Sequence, residues 1–269
     1  MRSVGAHEDQ VHEALRAVLE HASRMNFDDP PPVMGRDIHR IVRRVAGDGD
    51  PFRAIKRRQN EFALELLPRV RERVESAEDP FEAAVRMAIA GNIIDLGAKT
   101  SLGEREVLDA VDTALHDPID GDPAGLQTRA EEAASILYLA DNAGEIVFDR
   151  LLVERLPLER VTVAVRGEPA INDALMADAE TAGLTEIVRV VENGSDAPGT
   201  ILADCTPEFR DTFGSADLII AKGQGNYETL SHSTDRQVFY LLKAKCPVIA
   251  RDIGCEVGAL VVRRPRDGS

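Results

Sequence analysis

The stretch Ile136–Asp149, Ile-Leu-Tyr-Leu-Ala-Asp-Asn-Ala-Gly-Glu-Ile-Val-Phe-Asp, changes character twice. Ile136 to Ala140 is a short apolar run with no polar face, as expected of a strand buried on both sides in a parallel sheet. Asp141 falls where such a strand ends, Asn142 and Glu145 have capping-box spacing, and Phe148, Leu151 and Leu152 start a helical stripe. The segment therefore reads strand, acidic turn, helix. In open α/β sheets ligands bind just beyond the carboxyl ends of the strands, where Asp141 and Asn142 fall. Capping accounts for Asn142. Asp141 has no such duty, and a carboxylate at the end of a buried strand costs desolvation unless something positive meets it. A turn residue and a ligand-binding residue both remain open for Asp141 on this segment alone.

Downstream, strand and helix patterns alternate, which is the signature of a parallel sheet with crossover helices. Val161–Val165 reads as the second strand. Asn172 is placed to cap the helix that follows, with Asp173 in its first turn and Leu175 and Ala179 below; a helix dipole alone would favour an acid there. Ile187–Val191 is the third strand, followed by the turn-rich loop from Asn193 to Gly199. Asp217–Ala221 makes a fourth strand. An amphipathic helix containing Val238, Phe239 and Leu242 and a fifth strand at Val248–Ala250 complete the pattern. The fourth strand runs into Lys222-Gly223-Gln224-Gly225-Asn226-Tyr227-Glu228, where two glycines and a helix start offer an anion nest beside a full positive charge. The segment matches neither Gly-x-x-x-x-Gly-Lys-Ser/Thr nor Gly-x-Gly-x-x-Gly, so a nucleotide triphosphatase and a classical dinucleotide site are both unsupported. Lysine is scarce in this chain (Lys56, Lys99, Lys222, Lys243 and Lys245 among 32 basic residues), which singles out Lys222.

Upstream the chain reads as helical. Val11, Ala14, Leu15, Val18, Leu19 and Ala22 follow helical spacing, and Ile38, Ile41, Val42 and Val45 repeat it after Pro30-Pro31-Pro32; both are expected to be core stripes. His7, His12, His21 and His39 have no metal-ligand grouping. Asp50-Pro51-Phe52 and Asp79-Pro80-Phe81 each place an N-cap acid before a first-turn proline. The first of these helices carries Ile55, Phe62, Leu66, Val70 and Val74, with a bend expected near Pro68. In the second, Phe81, Ala84, Val85, Ala88, Ile89 and Ile93 form the apolar stripe, Asn92 continues it, and Asp95 follows before Gly97. Polar groups on such a face need partners, either a neighbouring loop or a pocket shared with the second half. The division expected is a helical part over residues 1–125, with a subdivision near 47, packed on a Rossmann-like α/β domain over 126–269.

Composition narrows the function classes. A chain of 269 residues buries a full core without staples. No apolar run approaches the roughly 20 residues that span a bilayer, and the first residues lack the apolar stretch of a signal peptide, so a cytoplasmic location is expected. Cys205, Cys246 and Cys255 form no disulfide framework or metal knuckle. A net charge of −15 speaks against nucleic acid and anionic membrane as partners. Oligomeric state is left open.

Taken together, Asp141-Asn142-Ala143-Gly144-Glu145, Ile171-Asn172-Asp173 and Lys222-Gly223-Gln224-Gly225-Asn226-Tyr227-Glu228 resemble the motifs of the family known as domain of unknown function 89. That family includes damage-control phosphatases and acidic residue methyltransferase-like proteins. Asp50-Pro51-Phe52 with Lys56, and Gly91-Asn92-Ile93-Ile94-Asp95-Leu96-Gly97, are similar to its helical-half motifs, so the likeness runs from about residue 50 to the end and is greatest to the compact archaeal and bacterial form. Compact members usually begin with a Cys-x-x-Cys segment that is absent here, as expected of either a shortened amino terminus or a misplaced start site. The resemblance implies a helical part packed on an α/β domain, metal ligands at Asp141, Asn142 and Asp173, and a phosphate-binding Lys222. It implies a divalent cofactor (Mg²⁺, Mn²⁺, Co²⁺ or Ni²⁺), with Asp141 and Lys222 as catalytic residues and Gly223, Gly225, Asn226, Asn92 and Asp95 around the phosphate. The function expected is metal-dependent hydrolysis of small phosphorylated metabolites such as sugar phosphates. An acid-then-glycine turn after a first strand also begins many S-adenosylmethionine-dependent carboxyl methyltransferases, and a non-catalytic binder of metal or phosphometabolite would keep the same residues. The lysine and glycine nest on a second strand end favours the phosphatase.

Overall fold

The computed structural model describes residues 7–47, 49–91, 104–232 and 238–264. Among the described residues five helices come first: α1 (Glu8–Ala22), α2 (Pro31–Ala46), α3 (Arg53–Glu75), α4 (Pro80–Ala90) and α5 (Glu104–His116). A short strand β1 (Ile119–Gly121) and α6 (Pro123–Glu132) lead into the alternating half. This comprises β2 (Ile136–Leu139), α7 (Glu145–Val153), β3 (Val161–Val165), α8 (Met176–Thr181), β4 (Arg189–Glu192), α9 (Pro207–Ser215), β5 (Leu218–Lys222), α10 (Gly223–Leu230), β6 (Val238–Lys243), α11 (Pro247–Ile253) and β7 (Leu260–Arg263).

All seven strands join one sheet in the order β1-β7-β6-β5-β2-β3-β4. β2 is an interior strand, buried along its whole length, with Ile136 beside Val161 on one side and Leu218 on the other, both in parallel register. Its side chains alternate between two cores, as strand geometry requires. Ile136, Tyr138 and Ala140 meet the layer of α3, α4 and α7, while Leu137 and Leu139 meet Phe209 and Phe213 of α9 on the opposite face. α4 is buried nearly all round and packs on α7, so the helical half covers one face of the sheet. From β2 the chain moves outward to β3 and β4, then returns to β5 on the other side of β2. That reversal puts a crevice between the carboxyl ends of β2 and β5, the place where ligands bind in open α/β sheets.

In its secondary structure and core the protein differs from the sequence expectations in four places. Val238, Phe239 and Leu242 lie in strand β6 and not in a helix; the run is buried from Val238 to Leu242 because β5 and β7 flank it. Val248–Ala250 belongs to helix α11, which starts at Pro247 behind the Cys246 cap. The sheet is not wholly parallel, since β6 and β7 run antiparallel, and its far edge strand, β1, comes from the helical half of the chain. Finally, the α1 stripe is not core: Ala14 is buried, but Leu15 and Leu19 are 54% and 61% exposed. Helical periodicity identifies a face without saying whether anything covers it.

Candidate active site

Beyond Ala140 the chain turns through Asp141, Asn142 and Ala143 to Gly144, whose φ of +76° lets α7 begin at Glu145. A second turn after β3 runs alongside it. Asn142 and Asp173 form an antiparallel bridge, the Ala143 N–H donates to the Asn172 carbonyl at 2.9 Å, and the Ala174 N–H donates to the Asp141 carbonyl at 2.8 Å. The capping roles expected for Asn142 and Asn172 are therefore not found: the two turns pair with each other before either helix starts, and α8 begins later, at Met176. The pairing brings Asp141, Asn142 and Asp173 together. It also imposes strain, because Ile171 has φ +48°, a conformation that β-branched residues avoid. Buried His39 of α2 accepts the Ile171 N–H on Nε2 at 3.3 Å, and burial, aided by Arg43, lowers its pKa and keeps it neutral for this role.

The site carries an excess of negative charge. Loss of bulk water, with Glu145 and Asp173 nearby, raises the Asp141 carboxyl well above the ordinary carboxylate range. Burial also raises Asp173, against the pull of Arg166, whose Nε donates to Asp173 Oδ2 at 2.7 Å. Arg166 is itself sealed in, with Nη1 directed to Thr200 and Nη2 to Asn226. Among the described residues, the positive charges acting on Asp141, Asp173 and Asp149 are Arg166, Lys222 and, on Asp173, Lys56, whose ammonium is already paired with Asp50.

Lys222 is placed differently from the sequence expectation. Its ammonium is fully buried beneath the crevice and donates to Ala88 O at 2.5 Å, Glu145 Oε1 at 2.6 Å and Asp149 Oδ1 at 2.6 Å. Those three bonds exhaust its hydrogens. Burial alone would lower its pKa, but Asp149 and Glu145 outweigh that and hold it raised. Asp149, desolvated but beside the ammonium, is pushed up to about 6. The two glycines serve close packing and do not wrap an open nest. Gly223, at φ +79°, leaves room where a Cβ would overlap the Asp141 carboxylate, and Gly225 leaves room for the Pro198 carbonyl. Asn226 is fully buried; its Nδ2 donates to Lys222 O and Ala140 O, and its Oδ1 accepts from Thr200 and Arg166. It ties the ends of β2, β3 and β5 together and has no atom left over for a phosphate. Asn92 and Asp95 lie outside the described residues.

Arg166, Glu145, Asp149 and Thr200 were not singled out as site residues by the sequence. One signal for the acids was available: Glu145 and Asp149 are i, i+4 on a helix that follows a wholly buried strand, a spacing that calls for a shared cation. Nothing local marks Arg166, whose partners lie 7, 34 and 60 residues away.

The donor set suits a hard divalent cation. Among the described residues, Asp141 Oδ1, Asn142 Oδ1 and Asp173 Oδ1 make no hydrogen bond, while their partner atoms are engaged: Asn142 Nδ2 donates to Asp141 Oδ2 at 2.8 Å. Two carboxylates and an amide oxygen, in a surplus of negative charge, are oxygen ligands of the kind Mg²⁺ and Mn²⁺ take. No group of three or more His, Cys, Asp or Glu arranged for a metal occurs among the described residues, so the amide is needed to complete a three-ligand set. A cavity of about 710 Å³ lies elsewhere, between α3, α4 and α5, and both of its arginines are already paired, Arg73 with Asp112 and Arg86 with Glu82.

Three comparisons bear on this arrangement. The family model described as the damage-control phosphatase ARMT1-like domain matches residues 2–261. An uncharacterised protein of Methanocaldococcus jannaschii is 40% identical over 239 residues, covering 85% of this chain and 78% of its own. A protein of Archaeoglobus fulgidus named damage-control phosphatase is 39% identical over 259 residues, 94% of this chain and 88% of its own. Among solved structures, a domain of unknown function 89 family protein from Pyrococcus horikoshii superposes with a TM-score of 0.89 at 33% identity, covering 98% of this chain and 92% of that one.

Proposed function

Since the chain belongs to the damage-control phosphatase ARMT1-like domain family, we propose that it is a metal-dependent phosphatase hydrolysing small phosphorylated metabolites, sugar phosphates among them. The observation that carries this reading is the convergence of Asp141, Asn142 and Asp173 beyond the carboxyl ends of β2 and β3, beside the sheet's switch point and in a surplus of negative charge. The name of the Archaeoglobus relative supports the reaction class. A divalent cation bound there (Mn²⁺, Co²⁺, Ni²⁺ or Mg²⁺) would polarise the phosphoryl group and lower the pKa of a bound water.

The chain's own residues prepare that chemistry. Arg166 holds one oxygen of Asp173, and the Asn142 amide holds one oxygen of Asp141, so each carboxylate keeps its other oxygen for the ligand. Asp141 is the residue proposed to sit nearest the reaction, at the open end of β2. Lys222 is assigned a supporting role: it neutralises Glu145 and Asp149 at the base of the turn and anchors α7 to α4, without reaching the crevice. Preorganisation of this kind keeps charged ligands from moving during reaction.

The test is phosphate release by purified protein from a panel of phosphorylated metabolites with each metal in turn, and S-adenosylmethionine binding measured alongside. Release that stops with chelator and returns with metal is expected. No release with any metal, combined with saturable methyl-donor binding, would move the assignment to a methyltransferase.

A further inference from the structure

Helix α3 keeps a row of polar side chains near its start, on the side that packs against α7 and α8. Lys56 and Asn60 are each 3% exposed, and one turn further along the same face the row becomes apolar at Ala63. Packing alone gives no reason for this, since a buried polar group is costly unless its hydrogen bonds are met. Here they are met by the turn that carries Asp141, by Asp178 of α8 just past the Asp173 turn, and by Asp50. Asn60 Oδ1 accepts the Gly144 N–H at 2.6 Å, and Asn60 Nδ2 donates to Asp178 Oδ1 at 2.7 Å. The other oxygen of Asp178 accepts the Leu175 N–H at 2.8 Å. Lys56 lies 2.8 Å from Asp50 and 3.8 Å from Asp178, supplying positive charge to both acids.

We propose that Asn60, backed by Asp178 and Lys56, is a positioning residue that fixes the spacing of the Asp141 and Asp173 turns and so sets the affinity of the site for a divalent cation. The proposal rests on the metal-site reading above. Gly144 lies three residues past Asp141 and Leu175 two past Asp173, so one side chain from the helical half governs the exit of both turns. The role demands an amide of this length, because Asn60 accepts on one atom and donates on the other. A carboxylate would set two acids against each other, and alanine would leave the Gly144 N–H and Asp178 Oδ1 unpaired. The Asp50-Pro51-Phe52 segment with Lys56, otherwise without a task in the site, becomes the far end of this strut: Asp50 accepts the Phe52 N–H at 3.1 Å and pairs with Lys56.

The test uses the full chain and Mn²⁺ alone as probe. Calorimetric titration is run on the parent, Asn60→Ala, Asn60→Asp and the milder Asn60→Ser, together with Val70→Ala, a core change on the same helix that controls for lost stability. Amide exchange of residues 141–146 is followed in each. The Asn60 variants should bind Mn²⁺ about tenfold or more weakly, as loss of an outer-shell support does, and exchange faster at 141–146. Val70→Ala should keep parental affinity despite a lower Tm. Parental Mn²⁺ affinity in the Asn60 variants that fold, or an equal loss in Val70→Ala, would overturn the proposal. If the parent itself binds no divalent cation, the metal reading fails separately; unchanged exchange at 141–146 would then overturn the strut, and faster exchange would uphold it.

Discussion

Replacing Lys222 by methionine should unfold the protein more readily, before any effect on turnover is considered. The side chain is fully buried, as are its partners Glu145 and Asp149. Methionine fills most of the volume but removes all three donors, leaving two acids and the Ala88 carbonyl without the ammonium they share. Breaking a buried ion pair by deleting one partner costs about 3–5 kcal/mol, because the remaining charge stays desolvated. For a domain of this size that corresponds to a Tm lower by roughly 6–20 °C. Adding Glu145→Gln and Asp149→Asn to Lys222→Met should recover a large share of the loss, since neutral side chains carry no comparable penalty. Urea unfolding followed by circular dichroism measures it. A loss below about 1 kcal/mol, the range of an exposed ion pair, would refute the sealed-triad account and return Lys222 to the role of an open phosphate clamp.

Gly223→Ala should lose both stability and divalent-cation binding, because a Cβ at φ +79° is strained and overlaps the Asp141 carboxylate. A Tm drop with Mn²⁺ affinity unchanged would show that Asp141 is not a ligand. Asp149 gives a pH signature. Its folded pKa of about 6 lies above the usual 3.8, so the proton it holds stabilises the fold fully below about pH 4, and that contribution is lost as pH rises through 6. The stability of the parent relative to Asp149→Asn should therefore fall between pH 4 and 7. A difference that rises over this window would contradict the sign.

The strand ends were legible in the sequence because the signals are local. A buried parallel strand is a continuous apolar run, and the turn that leaves it is polar, so β2, β3 and β5 could be placed along with Asp141, Asp173 and Lys222 at their ends. What lay beyond was which way each side chain faces and what meets it. Lys222 finds its partners 73, 77 and 134 residues away, and no spacing rule reaches so far. Val238–Leu242 could serve as helix or strand until β5 and β7 flanked it. Asn142 and Asn172 have ideal caps' chemistry, yet the pairing of two turns distant in sequence claimed their backbone first. Asn60 shows the same limit from the other side: a polar residue on an amphipathic helix reads as surface until Gly144 is found against it.

The central claim is that Asp141, Asn142 and Asp173 hold a divalent cation. Anomalous diffraction from crystals grown with MnCl₂ addresses it most directly. The account predicts one strong peak at the carboxyl ends of β2 and β3, about 2 Å from oxygens of all three side chains, and its disappearance in Asp141→Asn crystals grown alike. A peak held instead by Glu145 and Asp149, or none in the parent at saturating Mn²⁺, would contradict it.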